Sequence, residues 1–127
     1  MNKLCELRMY TRSSDGEYLS CDTEARYYFK HGRHYLLFEL DNDKCHIEYD
    51  DKELLYKRQG ELTYEMRLRS GNSSEMALKT AYGVMHTDYM VYFYEAAIAE
   101  DTAEINTDYR SAGENYHMRI EVRSKAD

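Results

Sequence analysis

Proline and tryptophan are absent from this chain of 127 residues, and phenylalanine and glycine are sparse at 3 and 6 copies. Without proline, no stretch loses a backbone donor in mid-strand, so sheet can run through the whole sequence. Cysteine is scarce too. Cys5, Cys21 and Cys45 are odd in number and lack the spacing of a disulfide framework. No window approaches the ~20 apolar residues of a membrane span. The first six residues hold no apolar run of signal-peptide length. These absences predict a cytoplasmic chain with reduced thiols and no membrane partner. Positive charge is in deficit as well. A net charge of −7 argues against nucleic acid as a partner, because phosphate binding needs a concentrated basic surface.

Tyrosine is abundant, with 14 copies, and it favours pleated, half-buried surfaces. Apolar residues alternate with polar ones along much of the chain. In 61–69 the even positions Leu62, Tyr64, Met66 and Leu68 are apolar and the odd ones polar, and 44–49, 103–110 and 116–123 alternate as cleanly. That period means one buried and one wet face on each strand. It predicts burial of Leu62, Tyr64, Met66, Leu68, Ile105, Met118, Ile120 and Val122, and exposure of Arg67, Arg69, Glu104 and Glu121.

Seven hairpins carry this phase from strand to strand without reversing it. Two-residue turns at His31-Gly32, Asn42-Asp43, Asp51-Lys52 and Ala112-Gly113 join an odd-phased strand to an even-phased one. They set Tyr27 opposite Leu36, Ala25 opposite Phe38, Leu40 opposite Cys45, Tyr49 opposite Leu54 and Tyr109 opposite Tyr116. Three-residue turns at Ser14-Asp15-Gly16, Arg58-Gln59-Gly60 and Ser70-Gly71-Asn72 join like phases. They set Met9 opposite Cys21 and Met66 opposite Met76, with Gly60 at a left-handed position. Cys5, Cys21 and Cys45 all fall on the inward phase. Only 80–102 blurs, and within it residues 89–94 are apolar on both faces. A continuous meander with one apolar face curls until its edges meet. The expectation is a single domain, 1–127, folded as an all-β antiparallel up-and-down barrel of eight to ten strands.

Catalytic signatures are missing. There is no glycine-rich phosphate loop, no strand-elbow serine and no paired helical histidines, so no catalytic residue, metal or cofactor is assigned. A His86-x-Asp88 pair is too little for a metal centre, and a hydrogen-bonded structural histidine explains it.

The segment Tyr27-Tyr28-Phe29-Lys30-His31-Gly32-Arg33-His34-Tyr35-Leu36-Leu37-Phe38-Glu39 resembles the second hairpin of the YwiB-like family. Arg58-Gln59-Gly60, Thr80-Ala81-Tyr82-Gly83 and Ile105-x-Thr107-x-Tyr109 match in the same order, so the resemblance spans 5–124. Ala81 stands where the family usually has proline. The resemblance implies a bacterial, cytoplasmic, calycin-like (lipocalin-like) barrel without assigned chemistry. Barrels of this strand number are filled by side chains or hold one small ligand. The first expectation is therefore a non-enzymatic binder of a small, partly apolar ligand lined by the inward Tyr56, Arg58, Tyr64, Met66 and Tyr109. Arg58 would meet an anionic group, or simply reach the rim as a snorkelling side chain. The alternative is a filled structural module that forms a homodimer through 89–94.

Overall fold

The computed structural model describes residues 3–125. Ten antiparallel strands follow one another: β1 (Lys3–Ser13), β2 (Tyr18–Lys30), β3 (Arg33–Leu40), β4 (Asp43–Tyr49), β5 (Glu53–Gln59), β6 (Tyr64–Arg69), β7 (Ser73–Thr80), β8 (Gly83–Ile98), β9 (Thr102–Ser111) and β10 (Glu114–Ser124). They form one sheet in the order β6-β5-β4-β3-β2-β1-β10-β9-β8-β7, rolled into a nearly closed barrel. Among the described residues there is no helix, and so none long and apolar enough to cross a membrane.

The alternating pattern becomes stacked interior rows. Phe38, Cys45, Arg58 and Tyr64 are neighbours across β3 to β6, above Leu36, Ile47, Tyr56 and Met66, and these above His34, Tyr49, Leu54 and Leu68. Leu36, Ile47, Leu54, Leu68, Val91, Ile105 and Ile120 are fully buried. Each such side chain contributes about 1.5–3 kcal/mol by leaving water. Glu104 and Glu121 are half-buried rather than exposed, because both carboxylates fold against Arg119.

Four ladders have the predicted register, with Met9 opposite Cys21, Tyr27 opposite Leu36, Tyr49 opposite Leu54 and Tyr109 opposite Tyr116. The others depart from it in instructive ways. The β3–β4 turn is Asp41-Asn42, both with positive φ, instead of Asn42-Asp43. Leu40 therefore faces Asp43, and Phe38 faces Cys45. The inward phase survives because the register moves by a whole pleat. The β5–β6 connection is longer than three residues, since Arg58 pairs with Tyr64. Gly60 has no left-handed backbone. It is glycine because a Cβ there would lie 1.9 Å from Asp43 Oδ1.

Met66 and Met76 do not form a ladder, because β6 and β7 are the two sheet edges. They share one bridge, Thr63 with Lys79, which keeps the expected register of Met66 opposite Met76 and is bonded reciprocally at 3.0 and 2.9 Å. Beyond it the connecting turn bonds β8 instead, through Gly71 N–H to Val91 O and Val91 N–H to Asn72 O, both 2.8 Å. Tyr89 of β8 fills part of the gap, its hydroxyl accepting the Arg67 N–H at 2.9 Å. The pairing of Ala25 with Phe38 is also absent, because the β2–β3 ladder stops at Arg26 and Leu37.

The blurred stretch holds two further turns, at residues 81–82 and 99–101, and a bulge in β8 between Val91 and Phe93. The bulge reverses the inward phase. Tyr89 and Val91 point inward before it and Tyr94 after it, while Tyr92 and Phe93 both face out.

Candidate functional site

Every second connection lies at the same end of a meandering barrel. Residues 14–17, 41–42, 60–63, 81–82 and 112–113 rim one end, and the other holds 31–32, 50–52, 70–72 and 99–101. The interior is tight in the middle and looser toward both rims, since the inward Tyr27 and His34 near the second rim are also half-buried. Side chains of the central rows are buried, whereas the inward Met9, Cys21, Leu40, Arg58, Tyr64, Tyr109 and Tyr116 nearest the first rim are partly exposed. The partial exposure of Tyr64 and Leu62, both expected to be buried, has this cause. The β7–β8 hairpin projects past the same rim, because β8 pairs with β9 only from Tyr89 onward.

Of the five sequence-derived candidates, Arg58, Tyr64 and Tyr109 line this mouth, whereas Tyr56 and Met66 lie buried in the row beneath it. Tyr56 and Tyr64 stack with ring centroids 5.7 Å apart, and Phe38 meets the Tyr56 ring edge-on. Met66 lies below them, opposite Tyr56. Tyr109 stacks on Tyr116 at 5.2 Å across β9 and β10. Burial pushes the phenols of Tyr56, Tyr64 and Tyr109 up from their ordinary pKa, so all three stay protonated and can donate. The Tyr56 hydroxyl already donates to Cys45 Sγ at 3.8 Å.

Arg58 is inward and has a partner that the sequence did not reveal. Its Nε donates to Asp43 Oδ2 at 2.9 Å, and Asp41 lies 3.9 Å from its Nη2. Asp43 is buried at 3% exposure and also accepts the Glu61 N–H at 2.9 Å and the Leu62 N–H at 3.2 Å. These donors, the Arg58 bond foremost, hold its carboxyl below the usual range. The ion pair thus fastens the β5–β6 connection to the mouth. The sole sequence signal for Asp43 is its odd number, shared with Cys45, Ile47 and Tyr49, and its turn-forming character masked it.

Cys5, Cys21 and Cys45 are free thiols, each pushed up in pKa chiefly by burial, and so poor nucleophiles. His86 bonds Glu75 across β7 and β8 at 2.9 Å rather than joining Asp88 in a ligand pair. Among the described residues no group of three metal-ligating side chains converges.

No curated protein matches the chain. The crystal structure of the ywiB protein from Bacillus subtilis is similar in fold, with a TM-score of 0.89 at 20% identity over 98% of this chain and 94% of that one. The model of the family described as domain of unknown function DUF1934 matches residues 7–120, nearly the whole barrel, and the chain therefore belongs to that family.

Proposed function

We propose that this chain is a non-enzymatic binding barrel of the bacterial cytoplasm that takes a small, partly apolar ligand at its open mouth. The observation that carries this reading is the gradation of burial along one inward surface. The central rows are closed, yet Tyr64, Tyr109, Tyr116 and Met9 keep part of their surface in water. An interior evolved only for packing would gain by covering them. Aromatic rings would hold the apolar body of the ligand, and the protonated Tyr64 and Tyr109 hydroxyls would orient its polar end. Arg58, with its side chain still 15% exposed, keeps terminal N–H groups for an anionic atom after its Nε is given to Asp43. The three unbridged thiols support a reducing compartment.

The test is a thermal-shift screen of metabolites against the native protein and the Tyr64→Phe/Tyr109→Phe variant. Ligands of the mouth should shift the native protein more than the variant. Equal shifts would remove the two phenols from the site.

A second reading, association of two copies through residues 89–94, is supported by the bulge that leaves Tyr92 and Phe93 56% and 40% exposed side by side. Light scattering on the native chain and on Tyr92→Glu decides it. The reading requires a concentration-dependent dimer that the variant loses.

A further inference from the structure

The split between β2 and β3 opens onto the mouth, since its floor residues Phe38 and Cys45 share a row with Arg58 and Tyr64, but it has its own physical origin and does not depend on a mouth ligand. Rungs run from Lys30–Arg33 to Arg26–Leu37 and stop, while β2 stays paired to β1 as far as Tyr18. Extending the ladder would set Glu24 opposite Glu39 and Asp22 opposite Asp41 on the outer face. Like charges directly opposed destabilise a strand pair. Glu24 turns instead to Lys125, and Asp22 to Arg8 at 3.5 Å. The stretch Tyr18–Ala25 is therefore a free edge along a wall strand. In an antiparallel ladder the backbone groups of alternate residues point to the same neighbour. The Lys30–Arg33 pair closing the tight turn puts Tyr18, Ser20, Asp22 and Glu24 in the set facing the split.

A cleft of ≈ 860 Å³ occupies this opening. Its floor is the inward Ala25, Phe38 and Cys45, its outer lip carries Glu24, Glu39 and the exposed Leu37, and Arg26 sits at the closed end with Lys44 across from Glu39. We propose that the split accepts an extended polypeptide segment as an added strand, with lysine or arginine facing outward and apolar side chains facing the floor. Main-chain bonds to the β2 edge would give it affinity, and alternate side chains would give it specificity. Of the four carboxylates at the split, Glu39 has no ion-pair partner among the described residues, and it and the net charge of −7 favour a basic partner over an acidic one. They also disfavour a second copy of this chain, whose own β2 edge would add Asp22 and Glu24 to the same acidic lip.

The probe is the peptide Lys-Val-Lys-Val-Lys-Val-Lys, titrated into the native protein by fluorescence anisotropy, with amide hydrogen exchange read on the complex. Glu-Val-Glu-Val-Glu-Val-Glu is the control. The lysine peptide should bind and slow exchange at Ser20, Asp22 and Glu24, and the control should not. Glu24→Gln/Glu39→Gln should weaken binding roughly three- to thirtyfold, as expected for losing two exposed ion pairs. Ser20→Pro, which removes one edge donor and leaves the β1 ladder intact, should abolish the protection. The proposal is overturned by absence of binding, by equal binding of the glutamate peptide, or by protection elsewhere. Concentration-dependent protection of the same amides without peptide would also overturn it, in favour of a second copy.

Discussion

Gly60→Ala isolates the contact that shapes the mouth. Gly60 is in register with Asp43, since Lys44 and Gln59 pair beside them. A methyl group there would lie 1.9 Å from Asp43 Oδ1, 2.4 Å from its Cγ and 3.0 Å from its Cα. The last of these is backbone, so rotating the carboxylate away is not enough. Because Gly60 lies outside the left-handed region, alanine carries no conformational penalty and would by itself stabilise by about 0.4–1 kcal/mol through the unfolded chain. The collision should reverse that sign. Forcing a methyl into an occupied site costs about 1–3 kcal/mol, and it also pulls Asp43 from Arg58, Glu61 and Leu62. Urea melts of the native protein, Gly60→Ala, Asp43→Ala and the double variant form a thermodynamic cycle. Gly60→Ala should destabilise by about 1–3 kcal/mol in the native background and by clearly less when Asp43 is alanine, where the carboxylate collision is gone and only the close approach to the Cα of residue 43 remains. An equal loss in both backgrounds, or none in the native one, would refute the steric account.

Ile120→Ala should cost about 2–5 kcal/mol in denaturant melts, because Ile120 is fully buried. Its neighbour Glu121→Ala should cost under about 1 kcal/mol, the range of an exposed ion pair. Tyr89→Phe should cost about 1–3 kcal/mol by orphaning the Arg67 N–H in the β6–β7 gap, and faster exchange of that amide would mark the cause. Burial lowers the pKa of His34 and of His46 below 6.5. Their stabilising contribution is complete above that value and lost as pH falls through the window beneath it. Melts at about pH 7.5 and about pH 5.5 should show the native protein losing more stability on acidification than His34→Gln/His46→Gln.

Much of the barrel was legible because short turns and a period of two constrain each other. Where both were clean, as between Met9 and Cys21 or Tyr49 and Leu54, register followed from counting. Counting failed where a polar residue took an inward position. Asp43 resembles a turn residue in sequence, yet Arg58 and two backbone donors satisfy it inside, which displaced the β3–β4 register by one pleat. It failed again at the β8 bulge, where an extra residue makes an alternating strand look apolar on both faces. The inward location of Tyr56, Arg58, Tyr64, Met66 and Tyr109 followed from phase alone. That Arg58, Tyr64 and Tyr109 share one mouth, and that Asp43 partners Arg58, did not, because both depend on which strand ends meet in space.

Strength of closure is distributed unevenly around this barrel, with a consequence for how it forms. The strands nearest the two ends of the chain, β1 and β10, are zipped through a continuous ladder from Cys5–Ser124 to Ser13–Tyr116. The sequence neighbours β6 and β7 share a single bridge. The long β1–β10 joint therefore demands the greatest loop-closure entropy, and contacts of that kind are slow to form. On a ribosome, β1 would wait with an open edge until β10 emerges, while the β6–β7 gap costs nothing in order of synthesis. A permuted chain that begins at β7 and ends at β6, its former ends linked, would turn the slow joint into a local hairpin and should fold faster.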